Sequence, residues 1–162
     1  MNRFQKQTQH GKAGNCLSAC LASLMGIPLD TIPNFSDGIS PDDPQSHIDQ
    51  QFSLNYYTWL RNLGWWVIYW DVSKDELIKM ALPSFGLFIG TFKRINSGIL
   101  HACIIDGKGE IVFDPAVIPA DNGPMELVGL EILYPLFDKP TTLLYDHKLT
   151  SGFGQASDLT PV

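Results

Sequence analysis

Residues 99–116 read ILHACIIDGKGEIVFDPA. Two runs rich in Ile and Val flank Asp106-Gly107-Lys108-Gly109, a cluster of turn-forming residues, so the stretch predicts two antiparallel strands joined by a tight hairpin. Pro115 cannot donate to a ladder and ends the second strand just past Asp114. A hairpin of this kind needs further strands, and a layer of helices on at least one face, to bury its apolar side chains.

Both are found by working outward from it. FGLFIGTFK (85–93) precedes the hairpin and reads as its neighbouring strand, and WWVIYWDV (65–72) is β-branched and aromatic, the composition of another. Between them Ser73 stands three residues before Glu76, a capping box that opens a short helix. Phe52, Tyr56, Trp59, Leu60 and Leu63 recur at helical spacing and predict a helix over 52–63, closed by Gly64. Residues 30–51, rich in Pro, Asp and Ser, read as a long functional loop or lid. Near the start, Leu17, Cys20, Leu21 and Leu24 predict a helix from an Asn15 N-cap to Gly26 and Pro28. Downstream, LEILYPLF (130–137) and TTLLYDH (141–147) are weaker strand candidates, and the tail from Ser151 reads as frayed and polar. The expectation is an α+β fold with N-terminal helices packed on a mainly antiparallel sheet, one domain over 1–150 and a tail over 151–162.

Composition narrows the function classes. The chain has 162 residues, 44% hydrophobic and 17% charged, with Lys+Arg 11 against Asp+Glu 17. A net charge of −6 offers no basic footprint for phosphates, so a nucleic-acid partner is not expected. Three cysteines are too few and too odd for a disulfide framework, which points to a reducing compartment. The opening MNRFQKQTQH lacks an apolar core, so no secretory signal is expected, and the apolar run around Trp65–Trp70 is far too short to span a membrane. A cytoplasmic protein is the expectation.

The chemistry gathers around Cys16. At the first turn of its helix a thiol meets the positive end of the helix dipole and unsatisfied amides, which favour thiolate and can hold an oxyanion. Gly14 leaves room for a substrate. Of the four histidines only His101 sits on a confidently read strand, facing the helix, where it can serve as base. Asp114, on the next strand across the hairpin, can orient the imidazole. A side-chain amide from Gln7 or Gln9 could complete an oxyanion hole. Asn15 borders the cleft as a candidate substrate contact. Trp65 and Trp66 point to opposite faces of one strand, so one of them, taken here as Trp65, is free to line a cleft.

A rival grouping of Cys16, Cys20, His101 and Cys103 as a zinc site lacks the close knuckle spacing of such sites. Cys20 and Cys103 are read as core, and no metal or cofactor is expected. His47 with Asp42, Asp43 and Asp49 reads as a hydrated loop, and His10 and His147 as solvent residues.

Gln7-Thr8 followed by GNCLSACLASLMGIPLDTIPNF (14–35), and later HACIIDGKGEIVFDP (101–115), resembles small papain-like cysteine peptidase domains of phage and bacterial genomes, related to peptidases that cleave bacteriocin leaders. The resemblance implies a papain-like fold, with Gln7 as oxyanion donor, Cys16 as nucleophile, His101 as base and Asp114 as orienter. It further implies hydrolysis of a peptide, isopeptide or related amide in a peptide or protein substrate, without a cofactor. The alternative is an inactive scaffold of the same type that grips a host protein or a small ligand. Acidic residues in 30–51 hint at a basic or polar substrate.

Overall fold

The computed structural model describes residues 4–10, 14–40, 42–116 and 123–136. Helix α1 (Cys16–Met25) is followed by a 3-10 turn (Leu29–Thr31), helix α2 (Gln45–Asn62), strand β1 (Trp65–Asp71) and helix α3 (Lys74–Lys79). Four strands follow: β2 (Leu87–Arg94), β3 (Leu100–Asp106), β4 (Ile111–Phe113) and β5 (Met125–Pro135). They form one sheet in the order β1-β5-β2-β3-β4, and every neighbouring pair is antiparallel. The fold is α+β, with α1 and α2 preceding the sheet. No helix among the described residues is long and apolar enough to cross a membrane.

The hairpin forms as its sequence requires. Ile104 pairs with Phe113 and Ile105 with Ile111. In the turn, Asp106 Oδ1 accepts from the amides of Lys108 and Glu110 at 2.8 and 3.0 Å. Gly109 takes φ +79°, a conformation that a side chain disfavours. Gly107 is needed for another reason: a Cβ there would strike the carbonyl oxygens of Leu82 and Pro83, which are backbone and cannot swing aside. Gly107→Ala is therefore expected to cost about 2 kcal/mol in a urea melt, as overpacking against fixed atoms does. An unchanged midpoint would contradict that close approach.

The two faces of β3 divide the core. Ala102 and Ile104 meet Leu17, Cys20 and Leu21 of α1, with Tyr56 and Leu60 of α2 in the same cluster. Cys103 and Ile105 point the other way, to Phe92, Leu127, Leu130 and Leu77 of α3. Cys20, Leu21, Leu60, Ile104 and Ile105 are fully buried, and each such leucine or isoleucine contributes about 2 kcal/mol of burial. Residues 101–105 of β3 are all buried, so any polar group there is held firmly.

Two boundaries and one side-chain placement differ from expectation. Helix α2 begins at Gln45, seven residues before Phe52, so the stretch 30–51 is not one loop. Its first two turns are mostly polar and exposed, with no apolar stripe to mark them. Instead, Gln45 bonds Asp49 and Gln51 bonds Asn55 at i,i+4 spacing, 2.7 and 3.0 Å. β5 begins at Met125, five residues before the run that announced it, because it lies between β1 and β2 and is paired along both edges. Trp65 packs against the core, whereas Trp66 stays partly exposed and stacks on Tyr57 at 5.9 Å. The expected strand over 141–147, His147 and the tail over 151–162 lie outside the described residues.

Candidate active site

Helix α1 is aligned on β3 through a single residue. The Ala102 amide donates to Cys16 Sγ, and the Ala102 carbonyl accepts from Cys20 Sγ, at 3.5 Å each. One turn of helix separates the two cysteines, which matches the reach between the amide and the carbonyl of one strand residue. Cys16 is thereby set beside β3, next to His101. Cys20 is buried as expected, and in addition it ties the helix to the strand.

His101 is 3% exposed, and its Nε2 donates to Asp114 Oδ1 at 2.8 Å. Asp114 Oδ1 also accepts from the Ala116 amide at 2.8 Å, which fixes the carboxylate. With Nε2 committed to Asp114, Nδ1 is the ring nitrogen left for the Cys16 thiol, with which the imidazole interacts electrostatically. The sequence-predicted trio of Cys16, His101 and Asp114 is thus brought together, with His101 hydrogen-bonded to Asp114 and electrostatically coupled to Cys16.

The electrostatics follow from these contacts. Burial alone would push the Cys16 thiol up. The hydrogen bond and charge of His101, with the amides of Ala102 and Leu17, outweigh it and hold the thiol below its ordinary value. Burial would lower His101, but hydrogen bonds to Asp114, Cys103 and Cys16 and the charge of Cys16 hold it up at about 11. The lowered thiol and the raised imidazole both favour the thiolate–imidazolium form of the pair. Burial pushes Cys103 up, and Cys20 well up, so both remain thiols.

Asn15 occupies the N-cap position of α1 but makes no side-chain cap, contrary to expectation. Its Oδ1 instead accepts from the amides of Thr8 and Gln9, and its Nδ2 donates to Thr8 Oγ1, all at 3.0 Å. This leaves the first-turn amides of α1 uncapped beside Cys16, which is what an oxyanion needs. The clamp also anchors the N-terminal arm. Farther up the arm, Gln5 bonds Ser23, Ile27 and Leu29. Lys6 Nζ donates to the carbonyls of Asp114 and Ala116, and the Gln7 amide donates to Pro115 O at 2.9 Å. The arm is strapped across the segment that carries Asp114.

Of the two candidate amides, Gln7 is buried, while Gln9 is exposed and turns to Asn34. Gln7 Nε2 donates to Nδ1 of His10 at 2.7 Å. Its Oε1 is buried without a partner among the described residues, a state that costs about 1–3 kcal/mol. His10 is exposed as expected, yet it is tied to this site through Gln7, a role marked in the sequence only by its nearness to Gln7. Trp65 is not brought to the site: it lies on β1, at the opposite edge of the sheet from β4.

Part of the acidic stretch does border the site. Asp30, Asn34 and Asp37 line an open groove of about 640 Å³ together with Thr8, Gln9 and Asn15, the last being its link to the Cys16 helix.

The ligand-type side chains that come together differ from the rival grouping of Cys16, Cys20, His101 and Cys103. His101, Cys103 and Asp114 place ligand atoms within 4.8 Å of one another, and Cys20 is held at the Ala102 carbonyl instead. Nε2 and Oδ1 at 2.8 Å are at hydrogen-bond distance, closer than the roughly 3.3 Å that separates two ligands of a tetrahedral zinc. As it stands the cluster fits a proton better than a metal. No protein-family model matches the sequence, and no match was found among curated proteins.

Proposed function

We propose that the protein is a thiol-dependent hydrolase of papain-like type, acting on a peptide, isopeptide or related amide bond. The observation that carries this reading is the chain from Cys16 through His101 to Asp114, with the thiol at an uncapped helix N-terminus. Such a chain supplies what amide hydrolysis needs: a nucleophile whose ionisation is favoured, a proton donor beside it and amides facing the developing charge.

The Cys16 thiolate attacks the carbonyl carbon, forming a C–S bond as the π pair moves to oxygen. The Cys16 amide and Gln7 hold that oxyanion. As the C–N bond breaks, His101 Nδ1 gives its proton to the departing nitrogen, leaving an acyl thioester. Water then attacks this thioester with His101 Nδ1 taking its proton, and Cys16 leaves as thiolate. Asp114 accepts from Nε2 throughout, which fixes the ring and favours its charged form.

A thiol-directed activity probe bearing a short peptide tests the reading. Mass spectrometry of the digested adduct is expected to place the probe on Cys16 alone, and a Cys16→Ser chain is expected to carry none. A probe divided among the three cysteines, or none on Cys16, refutes the proposal.

A further inference from the structure

Within the site, the buried side chain whose hydrogen bonds do not close is Gln7. Its main chain is pinned by Pro115, and the neighbouring Thr8 is pinned by Asn15, so only the side chain is free to turn. Its Nε2 faces Nδ1 of His10 at 2.7 Å, and its Oε1 is closed off from solvent with no donor. The two ends of an amide are nearly the same shape, so half a turn about the last bond exchanges them without moving a neighbour.

The ring decides which way the amide sits. A bare Nδ1 accepts from Nε2 and leaves a carbonyl oxygen inside, which repels an oxyanion. An Nδ1 that carries a proton donates to Oε1 and turns the NH2 inward, where it donates to one.

We propose that His10 is a positioning residue, whose Nδ1–H holds the Gln7 amide with its NH2 inward as an oxyanion donor. This rests on the reading of Cys16 and Gln7 just given. The pairing in the structure is the resting orientation, and the substrate's carbonyl oxygen draws the amide over. His10 is exposed, so its ring can exchange protons with solvent and change tautomer as the amide turns.

Two reagents separate this role from the thiolate itself. A short peptide aldehyde forms a C–S bond with Cys16 and moves its π pair onto oxygen, so it generates an oxyanion. Iodoacetamide forms a C–S bond with loss of iodide and generates none. Aldehyde affinity is read as protection of Cys16 from alkylation.

His10→Ala is expected to weaken aldehyde protection about tenfold while alkylation without aldehyde stays within about twofold. His10→Gln, whose amide both donates and accepts, is expected to restore most of the protection. Gln7→Ala is expected to lose as much, and adding His10→Ala to it to change nothing more. Unchanged aldehyde affinity in His10→Ala overturns the proposal, as does an equal loss of alkylation, or no protection of the unaltered chain. Alkylation of Cys16 no faster than that of Cys20 or Cys103 refutes the thiolate reading itself, and the proposal falls with it.

Discussion

At pH 7, iodoacetamide is expected to alkylate Cys16 at least about tenfold faster than Cys20 or Cys103, and His101→Ala to abolish that lead. An ordinary thiol is only a few per cent ionised at this pH, so full ionisation gains at most roughly thirtyfold in reactive form, and the lowered Cys16 thiol moves toward that limit. A thiolate of lowered pKa is a weaker nucleophile, which takes back part of the gain and leaves about tenfold. The other two thiols have their pKa values raised by burial, so they fall behind even an ordinary cysteine.

The pH profile carries the sign. With His101 present, the rise of the Cys16 rate is expected at lower pH than for an ordinary thiol, because the thiol is held below its usual value. In His101→Ala the imidazolium is gone and burial pushes the thiol upward, so the rate climbs through neutrality with rising pH. Hydrolysis is expected to fall by about a thousandfold or more in either His101→Ala or Cys16→Ser, the scale on which such groups act as a unit. Level, slow labelling of all three cysteines would sink the thiolate account. A cleavage rate unaffected by Cys16→Ser would remove the hydrolase.

Much of this geometry was legible because the residues that carry it sit on elements with strong local signals. His101 and Asp114 flank a hairpin whose turn, Asp106 to Gly109, fixes the pairing of the strands that carry them. Cys16 opens a helix whose apolar face is unmistakable. What stayed hidden depends on contacts far apart in the chain. The first turns of α2 are polar and exposed, and helix there is sustained by i,i+4 side-chain pairs that leave no periodic stripe. Asn15 carries the composition of a cap, but the arm competes for its side chain and wins, with three hydrogen bonds. Only the fold shows that both polar groups of Ala102 meet cysteines one helical turn apart, since the register of α1 on β3 is set by packing.

A second group that the sequence did not announce governs the dependence of stability on acidity between about pH 4.5 and 6.5. Glu131, on the interior strand β5, is 8% exposed and takes a hydrogen bond from Tyr56 Oη on α2 at 2.8 Å. The ionisable groups that face it are Tyr56 and Tyr57 on α2, Tyr69 on β1 and Cys20 on α1. None is a cation, and among the described residues no salt bridge reaches it. Burial therefore pushes its carboxyl up to about 7 against the lowering pull of Tyr56, from an ordinary 4.5.

A group whose pKa rises on folding stabilises the fold fully below its unfolded value. That contribution is lost as pH rises through the folded value, here between about 4.5 and 7. The difference corresponds to about 3 kcal/mol, a large share of what holds a domain of this size folded. Glu131→Gln keeps an acceptor for Tyr56 and cannot ionise. It is expected to match the unaltered chain at pH 4.5 and to exceed it by about 3 kcal/mol at pH 8 in urea melts. His101 has a different window, because its folded pKa of about 11 lies above an ordinary 6.5. Its contribution is complete below pH 6.5 and declines only above it, so the loss between 4.5 and 6.5 belongs to Glu131. If the urea midpoints of the two chains run parallel across that interval, Glu131 is not the titrating group. If they converge toward acid, a buried carboxyl without a cation sets the pH at which this fold is strongest.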